Sequence, residues 1–278
     1  MASECPRMIG VHPLLLVLLA VALVPRAYAI EPSTRDPRAI AKAVNDRDDG
    51  NKRVTRMTMT LGDPSGRKRV RTLRTRSMDF PGGSKTLMLF EAPADVRNTG
   101  LLTIDYDAGQ KDDDQWLYLP SLHRSTRIST SEKSRSFLGT DISYADMTKR
   151  DVAQYDYKLL EASARVDGEE CWVIEARPRT AKEKKETGYL KVHQWISKSK
   201  LMPVQSKAWV MEGRKLKYLK FTQLRKVDGI WMAHRIAVRT VRKGKVESTT
   251  VLEFDGVRFN QPSVTDADFT QRRLEQGL

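Results

Sequence analysis

Along most of the chain apolar and polar residues alternate, the period-two pattern of strands that bury one face. In Arg53 to Leu61, Met57, Met59 and Leu61 fall on one side, and Arg56, Thr58 and Thr60 on the other. Alternating or short apolar runs recur at 67–78, 85–91, 101–106, 115–119, 123–128, 155–166, 170–177, 189–196, 204–211, 215–226, 231–241 and 245–254. Turn signals stand between many of them: Gly62-Asp63-Pro64-Ser65-Gly66, Pro81-Gly82-Gly83, Asp167-Gly168, Glu212-Gly213, Asp228-Gly229 and Lys243-Gly244. Asp-Gly between alternating runs is a strong hairpin signal. The pattern predicts a mainly β protein, a meander of long antiparallel strands. No short repeat is visible, which argues against a propeller or solenoid.

The alternation is broken in a few places. Asp36 is a good N-cap and Pro37 suits a first helical position; Ile40 with Val44 and Ala39 with Ala43 then give helical spacing, ended by Asp48-Asp49-Gly50-Asn51. The stretch 134–147, with Phe137-Leu138-Gly139-Thr140-Asp141-Ile142-Ser143-Tyr144, is neither strand-like nor cleanly helical, yet apolar enough to cover something. Thr265 and Asp268 have capping-box spacing ahead of Phe269 and Leu274, predicting a short closing helix. At the N-terminus, Arg7, the apolar stretch Met8 to Val24 and Ala27-Tyr28-Ala29 follow the order of a secretory signal peptide. Residues 1–29 are therefore expected to be cleaved near Ala29, leaving 30–278 as one domain. An uncleaved anchor is the alternative, but His12 and Pro13 interrupt a stretch already short of the ~20 residues a bilayer span needs.

Export changes how charge and cysteine are read. Cys5 leaves with the signal, so Cys171, in Cys171-Trp172-Val173-Ile174, is the sole mature thiol and reads as a buried hydrophobe. The formal net charge is +14. For an exported protein that points away from nucleic acid and toward anionic membrane surfaces or an acidic protein face. The run 67–76 holds five arginines at nearly alternating spacing, which predicts most of them on one face of a strand. Arg69, Arg71 and Arg74 are candidates for docking to an anionic surface through their planar donor forks. A solvated outer face that discourages edge aggregation is the competing reading.

The search for catalytic chemistry is brief. His123, His193 and His234 sit on separate strands, none in a metal-binding spacing, and there is no nucleophile elbow or phosphate-binding loop. The acidic turns at Asp105-Tyr106-Asp107 and Asp112-Asp113-Asp114 lack a calcium loop's spacing. No metal, cofactor or catalytic residue is expected. Eight methionines and five tryptophans spread over the strands suit a barrel or half-barrel whose concave face holds an apolar ligand.

Several segments carry a family resemblance. Asp36-Pro37-Arg38-Ala39-Ile40-Ala41 is followed by the Arg-rich strand pair, then Leu87-Met88-Leu89-Phe90-Glu91-Ala92-Pro93, Gln115-Trp116-Leu117-Tyr118-Leu119-Pro120 and Ser136-Phe137-Leu138-Gly139-Thr140-Asp141-Ile142-Ser143-Tyr144-Ala145-Asp146-Met147. Asp228-Gly229-Ile230-Trp231 and Phe269-Thr270 complete the set. The chain resembles the LolA-like periplasmic outer membrane lipoprotein-sorting proteins, in the branch encoded beside resistance-nodulation-division exporters. The resemblance implies a strongly curved antiparallel sheet, an incomplete, half-open β-barrel of the LolA/LolB type with lid helices across its open face. It implies a non-enzymatic carrier that holds lipoprotein acyl chains or phospholipid and moves them toward the outer membrane. On that reading Met57, Met59, Leu61 and Trp116 belong to the concave wall, and Phe137, Leu138 and Ile142 to the lid. An accessory protein that binds an inner-membrane exporter is the second reading, and an envelope hydrolase the third.

Overall fold

The structure is a computed structural model that describes residues 30–107 and 111–277. The expected signal peptide lies outside those residues. Six strands come first: β1 (Arg53–Gly62), β2 (Lys68–Phe80), β3 (Gly83–Ala92), β4 (Gly100–Tyr106), β5 (Asp114–Leu119) and β6 (Arg124–Arg127). Seven follow a long irregular connection: β7 (Tyr155–Val166), β8 (Glu169–Pro178), β9 (Tyr189–Ser197), β10 (Met202–Val210), β11 (Lys215–Val227), β12 (Ile230–Arg242) and β13 (Lys245–Arg258). All belong to one curved, unclosed antiparallel sheet in the order β6-β5-β4-β3-β2-β1-β13-β12-β11-β10-β9-β8-β7. The alternation in sequence is therefore met by an antiparallel meander, with strand bounds close to those expected.

Local chemistry explains most of the hairpins. At Asp167-Gly168, Asp228-Gly229 and Lys243-Gly244 both central residues have positive φ, between 49° and 85°. That is the two-residue turn whose twist matches the flanking strands, and Asp and Gly tolerate it best.

The order of strands contains one long jump. The chain runs outward from β1 to the edge strand β6, crosses to the far edge at β7, and works back until β13 pairs with β1. Residues 128–154 make that crossing, so the segment that broke the alternation is the one that spans the concave face.

Two further pieces cap the sheet. Helix α1 (Pro37–Asp46) starts where the Asp36 carboxylate accepts the N–H groups of Arg38 and Ala39. Its Ile40 and Ala41 cover Trp172, Ile174 and Ile196 on β8 and β9. On the outer face, Val264, Phe269 and Leu274 from the C-terminal segment cover Met78, Leu87, Leu89 and Leu102.

The closing helix differs from expectation. It is a single turn at Asp266–Asp268, held where the Thr265 N–H donates to Asp268, then a separate helix α3 (Gln271–Gln276), numbered after α2 below. Thr270 restarts it by accepting the Arg273 N–H. Helix α2 (Ala181–Thr187) was not expected at all. Its signal was polar: the Thr180 hydroxyl accepts the Glu183 N–H, and Gly188 closes the helix at φ 74°. With no apolar stripe, nothing in the periodicity pointed to it.

Candidate functional site: a roofed apolar cavity

Register across the sheet builds the site. Met59 lies opposite Leu252, which lies opposite Ile236, which lies opposite Phe221. One row along, Thr250, Val238, Leu219, Ser206 and Gln194 face one another in turn. These side chains point to the concave side, and all but Thr250, which is buried against Asp141, form with Met57, Met88, Met232 and Phe254 the floor of a cavity of about 790 Å³. That lies in the upper part of the range of about 300–1,000 Å³ usual for ligand pockets. Methionine and branched side chains make a wall that adapts to irregular apolar shapes.

The crossing segment forms the roof. Its hairpin-like tip is closed by the Phe137 N–H donating to the Ile142 carbonyl at 2.8 Å and the Thr140 N–H donating to the Phe137 carbonyl at 3.0 Å. Beyond the tip, Ile142 and Met147 face the cavity. The anchor is polar. The buried Asp141 carboxylate accepts the hydroxyls of Thr240, Ser248 and Thr250, the last at 2.8 Å, while its own N–H donates to Thr250 at 2.9 Å. One acidic residue thus ties the roof to β12 and β13.

The far end of the cavity is polar. Tyr189 donates to Asp146 at 2.8 Å, and Lys217 donates to the Tyr189 hydroxyl at 2.9 Å. Tyr155 donates to Glu183 at 2.6 Å, and the Arg150 guanidinium lies 5.1 Å from the Tyr155 ring centre. An apolar floor with one polar end matches an amphiphile rather than a pure hydrocarbon. Among the described residues, no group of His, Cys, Asp or Glu is arranged to hold a metal ion, and no helix is long and apolar enough to cross a membrane.

The residues singled out from sequence divide among different places. Met57, Met59 and Ile142 line the cavity. Leu61 shares the concave face but is packed, 4% exposed, in the core beneath the crossing segment. Phe137 belongs to that same core and Leu138 packs against it; neither is in the cavity lining. Trp116 is on the other side of the sheet: its neighbours in β5 alternate, and it packs beneath the C-terminal segment with Tyr118.

The arginines are also divided. β2 pairs with β1 without a register break, placing Arg69 opposite Leu61 and Arg71 opposite Met59, on the concave side. Arg74 lies three residues beyond Arg71, an odd offset that turns it outward, where it pairs with Glu91. Arg71 is 7% exposed and donates to the Leu138 carbonyl at 2.9 Å, holding the roof rather than presenting a charge to solvent. The expected single basic face therefore does not form. Floor residues such as Phe221, Ile236 and Phe254 were not singled out, because strands apolar on both sides do not reveal which side is concave.

Beside the polar end, Asp105 accepts the Lys149 N–H at 2.6 Å and Asp113 accepts the Tyr106 N–H at 3.0 Å. Burial, with the neighbouring Asp113 adding to it, raises the Asp105 carboxyl to about 7; burial raises Asp113 as well. An unfolded Asp titrates near ~4, so from there up to pH 7 the unfolded chain holds fewer protons than the folded one, and stability falls as pH rises. Asp105→Asn is expected to match the parent at pH 4 and to be about 1–2 kcal/mol more stable at pH 8. Urea unfolding at the two pH values checks this; parallel pH profiles for parent and variant would contradict it.

Known proteins place this architecture. A family model described as "Uncharacterized protein"-like matches residues 82–276. No curated protein matches the chain. Among solved structures, a DUF1329 family protein from Desulfovibrio piger is 31% identical, with a TM-score of 0.77 over 86% of this chain and 99% of its own. A domain assigned as an outer membrane lipoprotein-sorting protein, from Vibrio parahaemolyticus, is 29% identical with a TM-score of 0.76, covering 86% of this chain and 98% of its own. A LolA superfamily protein from Nitrosomonas europaea shares the fold at 19% identity and a TM-score of 0.63, over 85% of this chain and 98% of its own. The half-open sheet and roofed concave face are those of a LolA-like fold, and the 31% identity over nearly the whole of both chains shows that the chain belongs to the DUF1329 family.

Proposed function

We propose that this protein is a non-enzymatic periplasmic carrier that shelters the acyl chains of lipidated proteins or of lipids and moves them toward the outer membrane. The carrying domain begins at Ile30, after removal of residues 1–29. The observation behind this reading is the cavity of about 790 Å³, apolar along its floor, under a roof tied down by Asp141 and Arg71. The physical need is clear: each CH₂ withdrawn from water is worth about 0.8 kcal/mol, so an acyl chain crosses an aqueous space only inside a sheath. The relative assigned to lipoprotein sorting supports the same reading.

Native mass spectrometry of protein extracted gently from its producing cells tests it. The expected result is a population carrying lipid or lipopeptide mass. Ligand-free protein that also takes up nothing from phospholipid vesicles would sink the proposal. Leu219→Trp, which adds an indole to the middle of the floor, is expected to abolish that uptake while shifting the melting temperature by only a few degrees, as overpacking costs about 1–3 kcal/mol. Full uptake by a folded Leu219→Trp protein would show that the cargo lies elsewhere. Co-purification with an inner-membrane exporter and no bound lipid would favour the accessory reading instead.

A further inference from the structure

Two cations of the cavity lining, Arg53 and Arg150, have no ion pair among the described residues, and Arg150 is the one set at the polar end on a hydrogen-bonded support. Lys182 is paired with Asp112, Lys149 with Asp49, Lys217 with Asp146 and Lys111 with Asp114. Arg53 lies near Asp49, the partner of Lys149, and near Asp79. Among the described residues, no carboxylate oxygen lies within 4.0 Å of the Arg150 guanidinium. Nη1 donates to the neutral amide of Gln194 at Oε1, 3.2 Å away, and the guanidinium carbon lies over the Tyr155 ring, 5.1 Å from its centre. Asp146 stabilises the Arg150 charge from beyond ion-pair distance while accepting from Tyr189; Glu183 accepts the Tyr155 hydroxyl and Asp151 the Ala153 N–H at 2.7 Å.

A guanidinium carries five N–H donors and no acceptor, so bonding to Gln194 with Tyr155 beside it still leaves donors of the fork for a ligand. The backbone that presents it is held from both sides. Lys149 N–H is fixed by Asp105, and the Arg150 carbonyl accepts from Asn45 of α1 at 2.6 Å. Arg150 and Gln194 also line a smaller pocket of about 190 Å³ beneath α1, which adjoins the main cavity.

Register then gives direction. Gln194 begins the row that continues through Ser206, Leu219 and Val238. From β9 to β1 the sheet spans five strand spacings, roughly 24 Å along its curve. A chain laid across that floor from Met57 and Met59 ends at Arg150.

We propose that Arg150, steadied by Gln194 and Tyr155, is the head-group site of this cavity, taking a carboxylate or phosphate at the end of an acyl chain that lies on the floor. The site rests on the carrier reading and narrows it to anionic amphiphiles.

Three probes with the same sixteen-carbon chain test it by isothermal titration calorimetry: palmitate, 1-palmitoyl lysophosphatidate and the neutral 1-monopalmitoylglycerol. The parent protein is expected to bind at least one anionic probe about tenfold or more tighter than the neutral one, the scale of a hydrogen bond to a charged group. Which anionic probe binds tighter tells carboxylate from phosphate. Arg150→Gln should remove that preference and leave the neutral probe within about twofold, while Arg150→Lys keeps part of it. Equal affinities for charged and neutral probes in the parent overturn the head-group site and leave the carrier reading standing. So does an Arg150→Gln protein that weakens all three probes equally. Binding of none of the three overturns the carrier reading and the site with it. The comparison within the parent decides the question even if the Gln variant does not fold.

Discussion

Phe137→Ala is expected to lower the free energy of unfolding by about 3–5 kcal/mol, the range for truncating a fully buried aromatic. Phe137 is 0% exposed, with its ring centre 5.9 Å from that of Phe90 and 5.6 Å from that of Tyr144, the latter edge-on. Leu73 and Leu101 belong to the same cluster. Truncation leaves a void in a cluster to which β1, β2, β3, β4 and β13 all contribute, and a roof fastened at both ends collapses poorly into it. The neighbouring Leu138 is held at φ 47° with its carbonyl on Arg71, so the tip has little freedom to re-pack. Ile142→Ala, on the cavity side of the same tip, should cost much less, because that side chain already faces open space. Urea unfolding of the two variants checks the difference. Similar losses at both positions would mean that Phe137 does not serve as the roof's core contact.

The second large effect is at the anchor. Asp141→Ala is expected to cost about 3 kcal/mol, because three hydroxyls lose a charged acceptor in a site with little water to replace it. Thr240 and Thr250 are 7% and 0% exposed, and Asp141 is 5% exposed. Asp141→Asn keeps one acceptor oxygen and an amide the hydroxyls can accept from, so it should lose about half as much. The loss should also be local. Hydrogen exchange is expected to accelerate over 136–147 before it does so in β12 and β13. Unchanged exchange over that segment in Asp141→Ala would remove the carboxylate from its role as anchor.

These two variants probe the stretch that was least legible in the sequence. It carried neither period two nor helical spacing, and that was itself informative: the chain leaves the sheet there and crosses the concave face. What each residue does in the crossing could not be read. Phe137, Leu138 and Ile142 looked equivalent as lid residues, yet Phe137 is buried in the core, Leu138 packs against it, and Ile142 packs against it while also facing the cavity. Asp141 drew no attention, since its three hydroxyl partners lie 99 to 109 residues away.

The Arg-rich strand teaches the complementary lesson. Parity along a strand is arithmetic, and the odd step from Arg71 to Arg74 already separated them. Which parity is concave is not arithmetic. It follows from where the roof and the C-terminal segment pack, and those contacts turned Arg71 into a roof support and Trp116 into an outer-face core residue.

By itself the sequence determined the β class, the strand bounds, the hairpin turns and the place where the meander breaks, because alternation, positive-φ turn residues and caps act over a few neighbouring positions. Only the tertiary structure decided that the sheet stays open, which face is concave, and which side chains meet in the cavity. Those depend on pairing β1 with β13 and on a crossing segment whose anchor is assembled from distant strands.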